Sequence, residues 1–174
     1  MTARRSGSET VRRLAALILT VALLAPAARA RAEQWGAMVP GESTMDTVRA
    51  LRGRPTRTAT EKVEGYDTAQ WVYEAAQAPP GIARLTIDFG LKTASEFHPE
   101  LLRSFKLEPR PGVFDRNSVL VGWGPPDGVG REGEVDFIFY KEGLFVYFAK
   151  DDFHVTSMVF TPPQLPPAPA APRP

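Results

Sequence analysis

The chain contains two histidines, His98 and His154, and no cysteine. A metal centre needs three or four ligands converging on one point. His98-Pro99-Glu100 has no third partner nearby, and His154 has no neighbour at ligand spacing. Both read as surface or strand-edge residues. The missing thiol removes disulfides, thiolate nucleophiles, cysteine metal sites and lipidation through an amino-terminal cysteine. Neither a G-x-S-x-G elbow nor a Ser/His/Asp arrangement can be singled out. Asp127 to Asp136 (DGVGREGEVD) is acidic and glycine-rich. It lacks the alternating Asp/Asn ligands and the closing Glu of a calcium loop, so it reads as a flexible turn. The expectation is a protein that is not an enzyme and has no metal site and no cofactor.

Aromatic side chains offer a different chemistry, that of recognition. Val135 to Tyr140 (VDFIFY) and Leu144 to Phe148 (LFVYF) are strand-like, and Lys141-Glu142-Gly143 joins them as a hairpin would. Alternation places Val135, Phe137, Phe139, Leu144, Val146 and Phe148 on one face. The other face then carries Ile138, Tyr140, Phe145 and Tyr147. An antiparallel sheet usually has one wet, polar face, yet both faces here are apolar. Either the second face is buried within the domain or it is an exposed binding surface. With Trp123 close by in sequence, Trp123, Ile138, Tyr140, Phe145 and Tyr147 are the candidate protein-binding residues.

Other strands must frame that hairpin. Gln70 to Glu74 (QWVYE), Arg84 to Phe89 (RLTIDF) and His154 to Phe160 have the composition and alternation of strands. Pro99 to Leu107, with Leu101, Leu102 and Phe105, reads as a linking helix.

Two short helices show explicit start and stop signals, and they recur at one offset. Pro40-Gly41 and Pro111-Gly112 are 71 positions apart, as are Thr44 and Asp115, Val48 and Val119, Gly53 and Gly124, and Pro55 and Pro126. Thr44 and Asp115 suit the N-cap, where a side-chain oxygen accepts from free first-turn amides. Gly53 and Gly124 suit closure in a left-handed conformation, and the prolines forbid continuation. Two turns are too few to be stable alone. The fold class expected is α+β: two tandem helix-plus-antiparallel-strand repeats, about 38–98 and 109–161, forming one domain at 33–161 with a largely antiparallel sheet.

The two ends read differently. Arg4, Arg5, Arg12 and Arg13 precede an apolar run from Leu14 to Ala25, whose 12 residues fall short of the roughly 20 that span a bilayer. Pro26 and two overlapping A-x-A sites follow, so residues 1–32 read as a signal peptide cleaved after Ala30 or Ala32. An uncleaved anchor is the alternative, and general secretion is favoured over twin-arginine export. Residues 162–174 (PPQLPPAPAAPRP) read as an extended, proline-rich disordered tail. Six Arg and one Glu lie within 1–32, so 15 basic and 19 acidic residues remain beyond it. The exported form is near −4, and its basic residues are scattered, so no nucleic-acid partner is expected.

The unit cap-x-x-x-Val-x-x-x-x-Gly-x-Pro, followed by an aromatic strand and a Gly-Leu-aromatic hairpin, resembles the BamE (SmpA/OmlA) domain family. Thr44, Val48, Gly53 and Pro55 carry the likeness in the first half. Asp115, Val119, Gly124, Pro126, Phe137, Phe139, Gly143, Leu144, Val146 and Phe148 carry it in the second. A tandem of such units is also similar to the fold of secreted β-lactamase inhibitor proteins. The resemblance implies an exported, periplasmic cell-envelope module that binds envelope proteins without catalysis, with room for peripheral outer-membrane association without a lipid anchor. Two alternatives stay open. One is a secreted enzyme inhibitor using loops such as Glu64-Gly65-Tyr66-Asp67 or Gly128 to Gly133. The other is a periplasmic binder of a small molecule or lipid, in a cavity between sheet and helices.

Overall fold

A computed structural model describes residues 35–163. The signal segment, its cleavage sites and the tail from Gln164 onward lie outside the described residues. Helix α1 (Met45–Arg52) leads into strands β1 (Arg57–Val63), β2 (Tyr66–Glu74), β3 (Ile82–Lys92) and β4 (Phe97–Pro109). Helix α2 (Arg116–Trp123) then leads into β5 (Gly128–Glu132), β6 (Val135–Tyr140), β7 (Leu144–Phe148) and β8 (Val155–Phe160). All eight strands form one antiparallel sheet in the order β1-β2-β3-β4-β8-β7-β6-β5.

The α+β expectation of helix-plus-strand repeats is therefore corrected. The described chain is dominated by one eight-stranded sheet, and its two α-helices have only eight residues each. Two segments expected to be something other than strand are strands, and the sequence reading passes over β1 altogether, each for a physical reason. Pro99 to Leu107 is not a linking helix but the middle of β4. Register shifts between β3 and β4, where Asp88 faces Ser104 but Phe89 faces Leu102, leave Arg103 as an extra residue. That bulge puts the buried Leu102 and Phe105 three positions apart, a spacing that imitates a helix. Strands β1 and β5 are the two sheet edges, with mostly exposed side chains. An edge with little to bury has no apolar alternation to advertise it. The acidic, glycine-rich segment at 127–136 thus contains β5 and the turn into β6, rather than a free loop.

The helix ends follow from their capping residues. The Thr44 hydroxyl accepts from the Thr47 N–H at 3.3 Å. Asp115 accepts from the Ser118 N–H at 2.7 Å while the Ser118 hydroxyl accepts from the Asp115 N–H at 2.9 Å, completing a capping box. Gly53 (φ 74°, ψ −155°) and Gly124 (φ 82°, ψ −166°) close the helices in a region that only glycine occupies readily, rather than in the left-handed helical region. The segment before each helix is also tied to the sheet. The Leu102 N–H donates to the Ser43 carbonyl at 2.8 Å, and the Val155 N–H to the Phe114 carbonyl at 3.1 Å.

Both helices cover the same face. Val48 of α1 and Val119 of α2 are fully buried in one cluster with Tyr73, Leu85, Leu107, Met158, Val146 and Ile138, which sit opposite one another along the strands. The two halves of the sheet meet across three residue pairs, Phe105–Phe160, Lys106–Val159 and Leu107–Met158. The Phe105 and Phe160 rings stack at 4.5 Å and hold that short seam from the core side.

Candidate protein-binding face

Hairpin register decides which aromatic residues share a surface. Tyr140 pairs with Leu144 and Ile138 with Val146, whereas Phe139 pairs with Phe145 and Phe137 with Tyr147. Directly opposed residues lie on the same face, so the five sequence candidates are divided. Ile138 and Tyr140 point into the core and are almost fully buried. Trp123, at the end of α2, packs half-buried against that core, and its Nε1 lies buried with no hydrogen-bond partner among the described residues. Only Phe145 and Tyr147 lie on the helix-free face. The correction is one of register, because a one-residue offset between two strands exchanges their faces. Phe137 and Phe139, assigned to the opposite face from sequence, belong with Phe145 and Tyr147.

These four rings form a connected set. Phe137 lies 5.3 Å from Tyr147 and 6.2 Å from Phe145, and Phe139 lies 6.2 Å from Phe145. All four are half-buried. Two rings extend over the sheet edge: Gly128 faces Phe139 and Gly130 faces Phe137 across the β5–β6 ladder. A Cβ on Gly128 would lie 2.6 Å from the Phe139 ring, and one on Gly130 would overlap Phe137. Glycine at both positions lets the rings lie down on the edge backbone, an arrangement that restores the packing an edge glycine lacks.

The same face is largely polar in the first half of the sheet, apart from the buried Val72 and a Tyr66–Phe97 pair stacked at 4.4 Å at its far end. Glu74, Arg84 and Glu108 stand opposite one another on β2, β3 and β4, with Arg84 3.3 Å from Glu74 and 3.6 Å from Glu108. Lys106 reaches Glu108 at 3.0 Å. Gln70 donates to Asp88 at 2.9 Å, and Ser104 donates to its other carboxylate oxygen at 3.2 Å. Following the ladder, polar groups give way at β8 to Val159, then Phe145, then Phe139. Along this boundary an open groove of about 390 Å³ is lined by Lys106, Glu132, Val135, Tyr147, Thr156 and Val159. Burial raises the pKa of the Tyr147 phenol, and the neighbouring, hydrogen-bonded Glu132 carboxylate raises it further. Tyr147 thus stays a neutral hydrogen-bonding group with an apolar ring.

The chain gives no match to any protein-family model, any curated protein or any solved structure. What the face can do must be read from its own residues.

Each histidine lies beside one carboxylate. His98 lies 3.3 Å from Glu96, and His154 lies 2.5 Å from Asp151. That second contact, with the Phe153 and His154 backbone N–H groups donating to the same carboxylate, lowers the Asp151 pKa to about 2. Among the described residues no group of three or more His, Asp or Glu side chains is placed to hold a metal ion. No helix of the described residues is long and apolar enough to cross a membrane.

The loops considered for an inhibitor are short turns and strands. Glu64 (φ 53°) and Gly65 (φ 87°) form a two-residue turn that closes β1 onto β2, and Tyr66 and Asp67 belong to β2. Gly128 to Glu132 is β5 itself. The space between helices and sheet, where a lipid or small molecule would need a cavity, holds the fully buried Val48, Val119 and Tyr73.

Proposed function

We propose that this chain is an exported protein-binding module of the cell envelope, with no catalytic step of its own, and that it engages its partner through the aromatic half of the helix-free sheet face. One observation carries the reading. A single sheet face is an ion-pair ladder over β2, β3 and β4 and a connected aromatic surface over β6 and β7. Apart from Val72 and the Tyr66–Phe97 pair at its far end, the first half has the composition of a solvated face, so the aromatic half departs from the pattern kept by most of the same face a few strands away. Half-buried Phe and Tyr rings with a phenol at the margin are the residues on which protein interfaces concentrate their binding energy. The resemblance of the helix segments to the BamE domain family points in the same direction, as does the export-signal pattern of the first 32 residues.

The test is crosslinking in intact cells, followed by purification of the tagged chain from the envelope fraction. An envelope protein recovered with the wild-type chain, and lost from a folded Phe145→Ser/Tyr147→Ser variant, supports the proposal. Recovery that is unchanged in the variant rejects this face as the contact surface. Tyr140 is unsuitable for such a test, because its ring is core and its hydroxyl holds Gly124.

A further inference from the structure

The two sheet edges place their charges differently: those of β5, Arg131 and Glu132, stand only at its end. Strand β1 presents Arg57, Glu61 and Lys62 along an exposed edge, the charged protection that keeps sheets from joining. Strand β5 begins Gly128-Val129-Gly130, with no charge over those three positions, and its Val129 side chain is 75% exposed. The uncharged start of that edge, with an exposed valine at its centre, is a template for another strand.

The flanking charges indicate which strand. Asp127-Gly128-Val129-Gly130-Arg131 is self-complementary when read antiparallel. Centred on Val129, such pairing sets glycine opposite glycine, valine opposite valine, and Asp127 opposite Arg131 on both sides. Moving the centre to Gly130 puts Val129 opposite Arg131, and moving it to Arg131 opposes two guanidinium groups. Like charges directly opposed in a ladder are destabilising, which disfavours the centre at Arg131, and only the centre at Val129 sets Asp127 opposite Arg131 on both sides. Both charged groups are at the surface and paired on the β6 side: Asp127 meets Lys141 Nζ at 3.2 Å, and Arg131 holds Asp136, its partner on β6, through two contacts of 2.6 and 2.8 Å, so each would have to be shared with or released to the second copy. Glycines in the incoming strand leave room for the Phe137 and Phe139 rings that lie over β5. Pro126, which lacks an N–H donor, limits the seam to about five residues on each side.

We propose that β5 is a self-association edge, at which two copies of this chain pair antiparallel about a two-fold axis at Val129. Such a contact is isologous, each copy offering the same five residues to the other. The aromatic face stays open in the pair, so the inference does not rest on the partner-binding reading.

The absence of cysteine makes a direct test available. At the axis, paired Cα atoms would be about 4.5–5.5 Å apart, within disulfide range. Under mild oxidation Val129→Cys should form a covalent dimer. Val121→Cys, on α2 and 87% exposed, should not. In sedimentation equilibrium the wild-type chain should approach twice the chain mass as concentration rises, and Val129→Lys should remain at one. Arg131→Asp alone should dissociate the pair, and Asp127→Arg/Arg131→Asp should restore it. A wild-type chain that stays monomeric, a Val129→Lys variant that still dimerises, or equal crosslinking at 121 and 129 would each overturn the proposal.

Discussion

The Tyr73 hydroxyl donates to the carbonyl of Gly53, the residue that closes α1, at 3.2 Å, and Tyr140 makes the equivalent bond to Gly124 at 2.9 Å. Each helix of eight residues is thus held at its carboxyl end by a tyrosine on the second strand that follows it. Burial raises the pKa of both phenols, against the nearby Arg49 and Arg52 for Tyr73 and together with Asp127 for Tyr140. Both hydroxyls therefore remain donors through the neutral pH range.

Removing either hydroxyl while keeping the ring should destabilise the fold by about 1 kcal/mol, the net worth of a buried hydrogen bond. The two sites stand on β2 and β6, five strand spacings or roughly 24 Å apart, so Tyr73→Phe and Tyr140→Phe should be additive. Urea unfolding of the two single variants and the double variant measures this. A double variant no weaker than either single would show that the bonds are not independent anchors.

Glycine 143 should be far less replaceable than glycine 53. Both have positive φ, 107° and 74°. Around Gly53 nothing lies within 4 Å of a built Cβ, so Gly53→Ala meets only backbone strain, about 1–3 kcal/mol. At Gly143 the same Cβ would collide with the Thr161 backbone carbonyl, whose own N–H donates to the Gly143 carbonyl at 2.8 Å. Gly143→Ala must therefore displace the end of β8 as well, and should lower stability by more than Gly53→Ala. Thermal melts of the two variants compare them.

Acid should weaken the turn that precedes β8. The Asp151 carboxylate is held first by His154 and then by two backbone N–H groups, so its pKa falls from 3.8 to about 2. A carboxylate with a depressed folded pKa contributes stability above its unfolded value, and that contribution is lost as pH falls through the folded one. Melting temperature should drop between about pH 4 and pH 2 more steeply in the wild type than in Asp151→Asn. Identical slopes would remove this carboxylate from the acid response.

The limits of sequence reading have physical causes here. Helix boundaries were legible because Thr44, Asp115, Gly53 and Gly124 are local signals whose meaning does not depend on the rest of the chain. Strands β3, β6, β7 and β8 were legible because each buries alternate residues. Strand β4 imitates a helix because a bulge at Arg103 breaks its period, β5 passes for a turn because an edge buries little, and β1 leaves no apolar alternation for the same reason. The aromatic site was half visible. Its composition could be seen, but the sorting of Ile138 and Tyr140 inward and Phe137 and Phe139 outward depends on the pairing of Tyr140 with Leu144, a register that composition does not contain.

The central claim is that the aromatic half of the helix-free face, not its polar half, meets the partner. A photocrosslinking amino acid placed at Tyr147, and in a second strain at Thr86 on the polar half of the same face, tests this in living cells. The account predicts a covalent adduct with an envelope protein other than the chain itself from position 147, and none from position 86. Adducts of equal yield from both positions, or from position 86 alone, would contradict it.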